Sequence, residues 1–254
     1  KVNVLEMLPE IAPGIDKEIT ERLQRVLKKA GVVIHKSCRV DEVREQTVVY
    51  TDHKGEPQEL ESEVILNATG RQPQIADIGL ELAGVACDKT GVQTDERGRT
   101  NVPGIWACGD VTGRMLLAHC ATREGFVAVN NMLGYNERMR YNAIPSVIYT
   151  HPEVASVGAT EEELKEKGIA YRKNVSPMAL SGRFVIEHGK QNGAVKVLVG
   201  EQYGEVLGVH MIGDTCSEFI ASAAIMVETE LRVQDIKEFV FPHPTISEAL
   251  KEAI

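Results

Sequence analysis

The pattern of apolar and polar positions over the first 35 residues predicts a strand, a helix and a second strand. Val2 to Leu5 form a short apolar run typical of a strand, and Asp16 is positioned to cap a helix. An apolar stripe at helical spacing predicts that helix and ends before Gly31: Ile19, Leu23, Val26 and Leu27. Val32 to Ile34 is the next apolar run. This order is that of a βαβ unit, which favours a mostly parallel α/β sheet.

Later apolar runs predict a change of architecture near Tyr141. Before it, further strands are predicted at residues 47–50 and 63–66, with a turn at 52–55. After it, strands are predicted at 183–187, 194–199 and 206–211, with helices from a capping box at Thr160 to Gly168 and from Cys216 to Thr229. Antiparallel strands flanked by helices indicate an α+β domain. The last helix is apolar enough to serve either as core or as an interface.

Composition excludes some classes of function. The 254 residues carry a formal net charge of −9, which argues against a nucleic-acid partner or an anionic membrane, because both select a basic face. No apolar run is long enough to span a bilayer. The five cysteines are scattered and form no C-x-x-C pair, so a reducing, cytoplasmic compartment is expected and a metal site is not. The chain begins inside a strand-like run without an initiator Met, as expected for a piece of a longer chain.

A proline-bracketed histidine near the C-terminus is the strongest candidate for chemistry. Pro242 and Pro244 predict a stiff, non-helical mount for His243, and Thr245 with Glu248 matches a capping box that would open a helix. Glu248 is open to two interpretations. It either caps the helix only, or it orients His243 as an acid/base group, and the two roles do not exclude each other.

Three other stretches have an ordinary interpretation when each is taken alone. Residues 68–73, Ala-Thr-Gly-Arg-Gln-Pro, indicate the end of a strand and a simple linker. Residues 100–111 form a turn and a short strand ending in Gly-Asp, where Asp110 alone indicates a turn residue. Residues 115–121 open a helix predicted to reach Met132, and His119 there is equally well explained as a core histidine. Glu6, taken alone, is a solvent-facing strand end.

Together, the His-Pro-Thr-x-x-Glu motif, the Ala-Thr-Gly-Arg-x-Pro stretch and the string ending in Gly109-Asp110 resemble the flavin-dependent pyridine-nucleotide:disulfide oxidoreductases, and the dihydrolipoamide dehydrogenases among them most closely. The resemblance implies three parts: residues 1–71 as the C-terminal part of an NAD-binding domain, 72–140 as a central FAD-contacting segment and 141–254 as an α+β dimerisation domain. It also implies FAD and NAD as cofactors, a homodimer, and a lipoyl-bearing protein as substrate.

The resemblance assigns roles residue by residue. His243 and Glu248 match the acid/base pair, which in this family reaches the partner subunit's disulfide. The residues that match cofactor-contacting positions are Glu6 (NAD ribose), Gly70 (dinucleotide), Asp110 (FAD ribityl chain), and Ala118 and His119 (helix end at the flavin ring). The family's redox-active pair has C-x4-C spacing, and no two cysteines here have it. The fragment alone is therefore expected to be inactive.

Residues 178–184 depart from the dihydrolipoamide dehydrogenase pattern. The motifs therefore define the family more narrowly than they define its disulfide substrate. Glutathione and mercuric reductases are relatives, and the second usually ends in paired cysteines, unlike Lys251 to Ile254 here. The alternative from another class is a non-enzymatic dimerisation module with vestigial cofactor contacts.

Overall fold

A computed structural model describes all 254 residues and divides them into two compact units, Lys1–Leu66 with Pro145–Ile254, and Asn67–Ile144. The strands are β1 (Asn3–Leu5), β2 (Val33–His35), β3 (Arg39–Arg44), β4 (Thr47–Thr51), β5 (Pro57–Glu61), β6 (Cys87–Asp88), β7 (Gly91–Val92), β8 (Ser146–Ile148), β9 (Val154–Gly158), β10 (Tyr171–Pro177), β11 (Ala194–Gly200) and β12 (Val206–Ile212). The helices are α1 (Lys17–Lys29), α2 (Ala118–Met132), α3 (Glu161–Glu166), α4 (Gly182–His188), α5 (Cys216–Glu228), α6 (Val233–Ile236) and α7 (Glu248–Ala253), with 3-10 turns at Gly109–Thr112 and Met178–Leu180.

The βαβ unit predicted at the N-terminus is confirmed. Strands β1 and β2 pair in parallel, with Asn3 opposite Val33. Asp16 caps α1 by accepting a hydrogen bond from the Glu18 backbone N–H at 3.1 Å. Ile19 and Leu23 are buried on one face of α1, as the apolar stripe requires. Strands β3, β4 and β5 form a separate antiparallel sheet.

An antiparallel sheet forms the centre of the first unit, in the order β10-β11-β12-β9-β8. Every residue of β11 is buried, because α5 and α7 pack on the sheet and α1 packs against β12. The α+β architecture predicted for this region is therefore confirmed. The capping box at Thr160 is also confirmed: Thr160 and Glu163 exchange hydrogen bonds at 3.2 and 3.0 Å.

A buried ion cluster ties the N-terminal segment to this sheet. The Lys196 side chain is fully buried, and its Nζ donates to Asp16 Oδ1 and Oδ2 at 2.7 and 2.9 Å and to Glu161 Oε2 at 2.7 Å. The Glu161 backbone N–H also donates to Asp16 Oδ2, at 3.2 Å. The same Asp16 that caps α1 is thereby bonded to α3 and β11.

The second unit is built around α2. Cys120, Val127 and Met139 form its buried core, and Met115, Leu117, Tyr141 and Ile144 pack against them. Strands β6 and β7 form a short hairpin beside the 3-10 turn at Gly109–Thr112, which packs on α2.

Two predicted strands are wrong. Residues 183–187 lie in α4 instead, because the Ser181 hydroxyl accepts the Phe184 N–H at 3.2 Å and caps a helix. Phe184 is buried and Ile186 is exposed, so only one face of this helix is covered. The β-branched residues of the stretch had suggested a strand. Residues 63–66 form no strand, since no strand of this chain lies beside them, and Val64 and Leu66 are more than 80% exposed.

The mixed α/β and α+β fold class is confirmed. The three-part division at residues 71 and 140 stays a prediction, and the compact units differ from it by grouping the first 66 residues with the last 110. None of the helices has both the length and the apolar character needed to cross a bilayer.

Candidate functional site

His243 and Glu248 form a hydrogen-bonded dyad. Glu248 Oε1 lies 2.8 Å from His243 Nδ1, and Oε2 accepts the Thr245 backbone N–H at 2.9 Å. These bonds lower the pKa of Glu248, the backbone donor first and the imidazole second. Glu248 thus both orients the histidine and reaches back along the chain. The His243 side chain is 79% exposed, so the bond to Nδ1 leaves Nε2 on the solvent side for proton transfer.

The helix N-cap predicted at Thr245 is wrong by two residues. Helix α7 begins at Glu248, with Ser247 before it. The Thr245 hydroxyl is engaged elsewhere, donating to the Pro242 carbonyl at 2.8 Å, so it does not cap the helix. Only the Glu248 half of the capping box forms. The bond from the Thr245 hydroxyl to the Pro242 carbonyl instead forms a turn around His243.

Ser181 supports the same segment, a role that no motif in the sequence indicated. Its buried hydroxyl donates to the Thr245 carbonyl at 2.8 Å and accepts the Phe184 N–H. Ser181 lies in the stretch that departs from the family pattern. The contact joins residues 64 positions apart in the sequence, which no local motif can reveal.

Asp110 is the second residue of the 3-10 turn in the second unit and is partly exposed. Its carboxylate lies 3.5 Å from the Arg71 guanidinium, so the two stretches singled out at 68–73 and 100–111 meet. Gly109 precedes it at φ +78°, a conformation that L side chains rarely adopt, and an added Cβ would lie 3.2 Å from the Ala121 side chain. Glycine at this position thus allows the turn to lie directly against α2.

Glu124 of α2 is a further residue at this turn, and it was not among the residues predicted from the sequence. It is 5% exposed, and its Oε2 accepts the Gly109 N–H at 2.6 Å. The available signal was a charge on the apolar helix face between Cys120 and Val127, both buried. Phe126 and Val129 of the same helix are apolar but at least half exposed.

Ala118 and His119 are the first two residues of α2, and both are exposed. Leu117 at the N-cap provides no side-chain hydrogen bond, so no cap competes for the first backbone N–H groups of the helix. The N-terminus of α2 therefore presents partial positive charge beside the turn that carries Asp110.

The remaining two candidates lie in different units. Glu6 directly follows β1, and its Oε1 accepts the Leu8 N–H at 2.8 Å. Gly70 lies in the second unit at φ +88°, with no atom within 4 Å of an added Cβ. Backbone conformation thus explains the glycine within this chain, and its predicted approach to a dinucleotide stays a prediction.

Two protein-family models match the chain. The model described as pyridine nucleotide-disulphide oxidoreductase matches residues 1–125, and the dimerisation domain of the same family matches residues 144–254. The chain belongs to the pyridine nucleotide-disulphide oxidoreductases. Within the family match, Glu6, Gly70, Asp110, Ala118 and His119 lie in the first segment, and the His243–Glu248 dyad lies in the dimerisation domain.

Relatives with known names agree with this family. The chain is 37% identical to dihydrolipoyl dehydrogenase 3 of Pseudomonas putida over 258 residues, and 37% identical to the mitochondrial dihydrolipoyl dehydrogenase 1 of Arabidopsis thaliana over 260. All of this chain is covered in both cases, against 55% and 51% of the relatives. The chain thus spans about half the length of these curated oxidoreductases.

Solved structures of the family superpose closely. The HOCl-induced flavoprotein disulfide reductase RclA from Escherichia coli matches with a TM-score of 0.87 at 26% identity, covering 100% of this chain and 58% of that one. LpdA from Mycobacterium tuberculosis matches with a TM-score of 0.87 at 25% identity, covering 99% of this chain and 55% of that one. The fold described above is therefore the family fold.

Proposed function

We propose that these residues form the acid/base and dimerisation half of a dihydrolipoyl dehydrogenase, which oxidises dihydrolipoyl groups of a carrier protein with NAD through FAD and a cysteine pair. The observation that carries the proposal is the His243–Glu248 dyad: an exposed imidazole hydrogen-bonded at Nδ1 to a carboxylate whose other oxygen is fixed by the Thr245 backbone. Relatives named dihydrolipoyl dehydrogenase align along the whole chain and support it.

His243 takes a proton from the incoming dithiol, because thiol–disulfide exchange proceeds through a thiolate. The carboxylate on Nδ1 selects the tautomer whose Nε2 carries the lone pair, and it stabilises the imidazolium that forms. Glu248 is the orienting residue and His243 is the base. The chain's own cysteines are all free and none has C-x4-C spacing, so the dithiol reacts with a disulfide from outside these 254 residues.

The dyad acts on a neighbouring subunit in this proposal. It lies in the dimerisation domain, and a two-fold interface would bring each copy's His243 to the other copy's disulfide. The functional unit is then a homodimer with two composite sites.

The chain's donors and acceptors fit the two cofactors. Asp110 has a partly exposed carboxylate that would accept hydrogen bonds from the hydroxyls of the FAD ribityl chain, and the N-terminus of α2 at Ala118 and His119 would favour negative charge on the flavin ring. Glu6, directly after β1, would accept hydrogen bonds from the hydroxyls of the NAD ribose. When bound, the flavin and nicotinamide supply the two-electron redox chemistry, and these residues bind and orient them.

NAD is preferred over NADP in this proposal. Glu6 would repel a 2′-phosphate, and the residues after it are Met7, Leu8 and Pro9. Lys36 is nearby in the fold, but its Nζ is paired with Glu10 at 2.9 Å. A cytoplasmic location is kept as part of the proposal, since five free cysteines suit a reducing compartment.

Mixing dead subunits tests the proposal. Full-length subunits carrying His243→Gln are combined with subunits lacking the redox cysteines, and dihydrolipoamide-dependent NAD reduction is measured. A site shared between chains restores activity to the heterodimers, one functional site for each mixed pair. A matched mixture in which the cysteine-less subunit also carries His243→Gln should stay inactive. If mixing restores nothing, His243 does not act across the dimer.

The same assay separates the alternatives. Turnover with oxidised glutathione or another disulfide, but not with lipoamide, would assign the chain to a related disulfide reductase. A full-length protein without a flavin absorption band would instead favour the non-enzymatic dimerisation module.

A further inference from the structure

Glu124 has no part in the chemistry proposed above, yet it is a carboxylate buried directly beneath the turn that carries Asp110. We propose that Glu124 is a positioning residue for flavin binding, which sets the Gly109–Asp110 turn so that the Asp110 carboxylate meets the ribityl chain. The inference rests on the proposed function, because it needs Asp110 to be a flavin ligand.

The contacts of Glu124 converge from three sides. Its Oε2 accepts the Gly109 N–H at 2.6 Å, and its Oε1 accepts the Tyr141 hydroxyl at 2.8 Å and the Cys120 thiol at 3.8 Å. Burial first, and the Glu124 carboxylate second, raise the pKa of Cys120 to about 11 and also raise the pKa of Tyr141. Both side chains stay protonated at neutral pH and act as donors to the carboxylate.

The bond to Gly109 determines the geometry of the turn. The Gly109 carbonyl accepts the Thr112 hydroxyl at 2.9 Å, and its N–H is held by Glu124, so both backbone groups of this glycine are fixed by side chains. Asp110 is the next residue, and its own carbonyl accepts the Gly113 N–H at 3.0 Å. Glu124 thus fixes the turn on the helix side and leaves the Asp110 side chain facing Arg71 and solvent.

Removing this acceptor would leave the buried Gly109 N–H without a partner, and an unsatisfied buried donor costs more than a hydrogen bond that water can replace. The turn would relax to recover that bond, and Asp110 would move with it. Glutamine is the conservative replacement. Its amide oxygen can accept the Gly109 N–H, and its NH₂ can donate to a rotated Tyr141 hydroxyl.

The test measures the FAD dissociation constant of the full-length apoprotein by flavin fluorescence, for wild type, Glu124→Leu, Glu124→Gln, Asp110→Asn and the Glu124→Leu/Asp110→Asn double variant. We expect Glu124→Leu to weaken FAD binding about tenfold or more, and Glu124→Gln to stay within about threefold of wild type. In the double variant, the loss should be close to that of Asp110→Asn alone, because Glu124 acts through Asp110. Tyr141→Phe, which keeps the Gly109 bond, is the matched control and should bind FAD nearly normally.

If Glu124 only stabilised the fold, the loss of FAD affinity in Glu124→Leu would add to the loss in Asp110→Asn. Additive losses of FAD affinity would overturn the inference while leaving the proposed function intact. Unchanged FAD affinity in Glu124→Leu would also overturn it. If Asp110→Asn itself binds FAD normally, the flavin contact in the proposed function is wrong and this inference falls with it. Should Glu124→Leu not fold, Gly109→Ala disturbs the same turn while keeping the buried Glu124 carboxylate. The loss of FAD affinity caused by Gly109→Ala must likewise disappear when Asp110→Asn is already present.

Discussion

Two clusters of cations and carboxylates in the first unit illustrate opposite uses of the same chemistry. At Lys196 both the ammonium and the Asp16 carboxylate are fully buried. At His243 the imidazole is 79% exposed, and only its carboxylate partner Glu248 is mostly covered. A buried pair cannot exchange protons with a substrate, but its loss affects the whole fold. An exposed pair contributes little to stability and is open to chemistry.

The pKa values of the carboxyl groups in the two clusters are lowered for different reasons, which follow from burial in one cluster and exposure in the other. Burial is the largest single effect on Asp16 and opposes its ionisation, but the hydrogen bond from Lys196, nearby positive charge and the Glu161 backbone N–H together outweigh burial and lower the pKa of Asp16. Burial likewise opposes ionisation of Glu161, and bonds from Lys196, Tyr171 and Lys173 lower its pKa to about 2. Glu248, in contrast, owes its lowered pKa to direct hydrogen bonds with desolvation a minor opposing effect.

The largest expected effect is on stability, from Lys196→Met. It leaves the Asp16 carboxylate buried without a cation, and removal of one partner from such a pair costs about 3–5 kcal/mol in the free energy of unfolding. Urea denaturation measures this. Lys165→Met is the matched control, because Lys165 is largely exposed and lies 3.9 Å from Glu161. A loss below about 1 kcal/mol for Lys196→Met would mean that the cluster does not hold the N-terminal segment to the sheet.

The next effect separates activity from stability. His243→Gln in the full-length enzyme should lower turnover on the order of 10² to 10⁴, the usual contribution of a general base. The free energy of unfolding should change by less than about 0.5 kcal/mol, because the side chain is exposed. His53→Gln, another exposed histidine, serves as the control and should change neither quantity. A variant that loses stability in proportion to activity would place His243 with the structural cluster instead.

The sequence revealed one cluster and not the other because of chain separation. His243 and Glu248 are five residues apart, and the motif containing them is local, as is the capping box of Thr160 and Glu163. Lys196 bonds across 180 residues to Asp16, and no periodicity connects such positions. The sequence did predict Asp16 as a helix cap, since that bond is local, and missed its second role.

The errors in secondary structure have the same origin. Residues 183–187 carry β-branched side chains typical of a strand, and the cap from Ser181 outweighs that propensity. The 63–66 run is apolar enough for a strand, but a strand needs a neighbour, and this chain provides none. The sequence places the charged residue Glu124 on the apolar face of α2, but it does not indicate that Glu124 bonds to Gly109.

Acid should weaken the buried cluster in a defined range of pH. Glu161 has its pKa lowered from 4.5 to about 2 in the folded protein. Its contribution to stability is therefore complete above about pH 4.5 and is lost as the pH falls toward 2. We expect the wild type to lose roughly 1–3 kcal/mol more than Lys196→Met between pH 5 and pH 3, because the variant lacks the cation that lowers the pKa. Equal losses in the two proteins would assign the acid sensitivity to other carboxylates.

The smallest effect concerns the orienting role of Glu248. Glu248→Gln keeps an acceptor for either His243 Nδ1 or the Thr245 N–H, but it removes the charge that favours the imidazolium. Turnover should fall about tenfold, less than for His243→Gln, because the imidazolium that forms on proton transfer loses the carboxylate that stabilises it. Glu252→Gln, an exposed change on the same helix, controls for altered helix charge. If Glu248→Gln leaves turnover unchanged, the carboxylate only caps the segment, and the exposed cluster would then resemble the buried one in being purely structural.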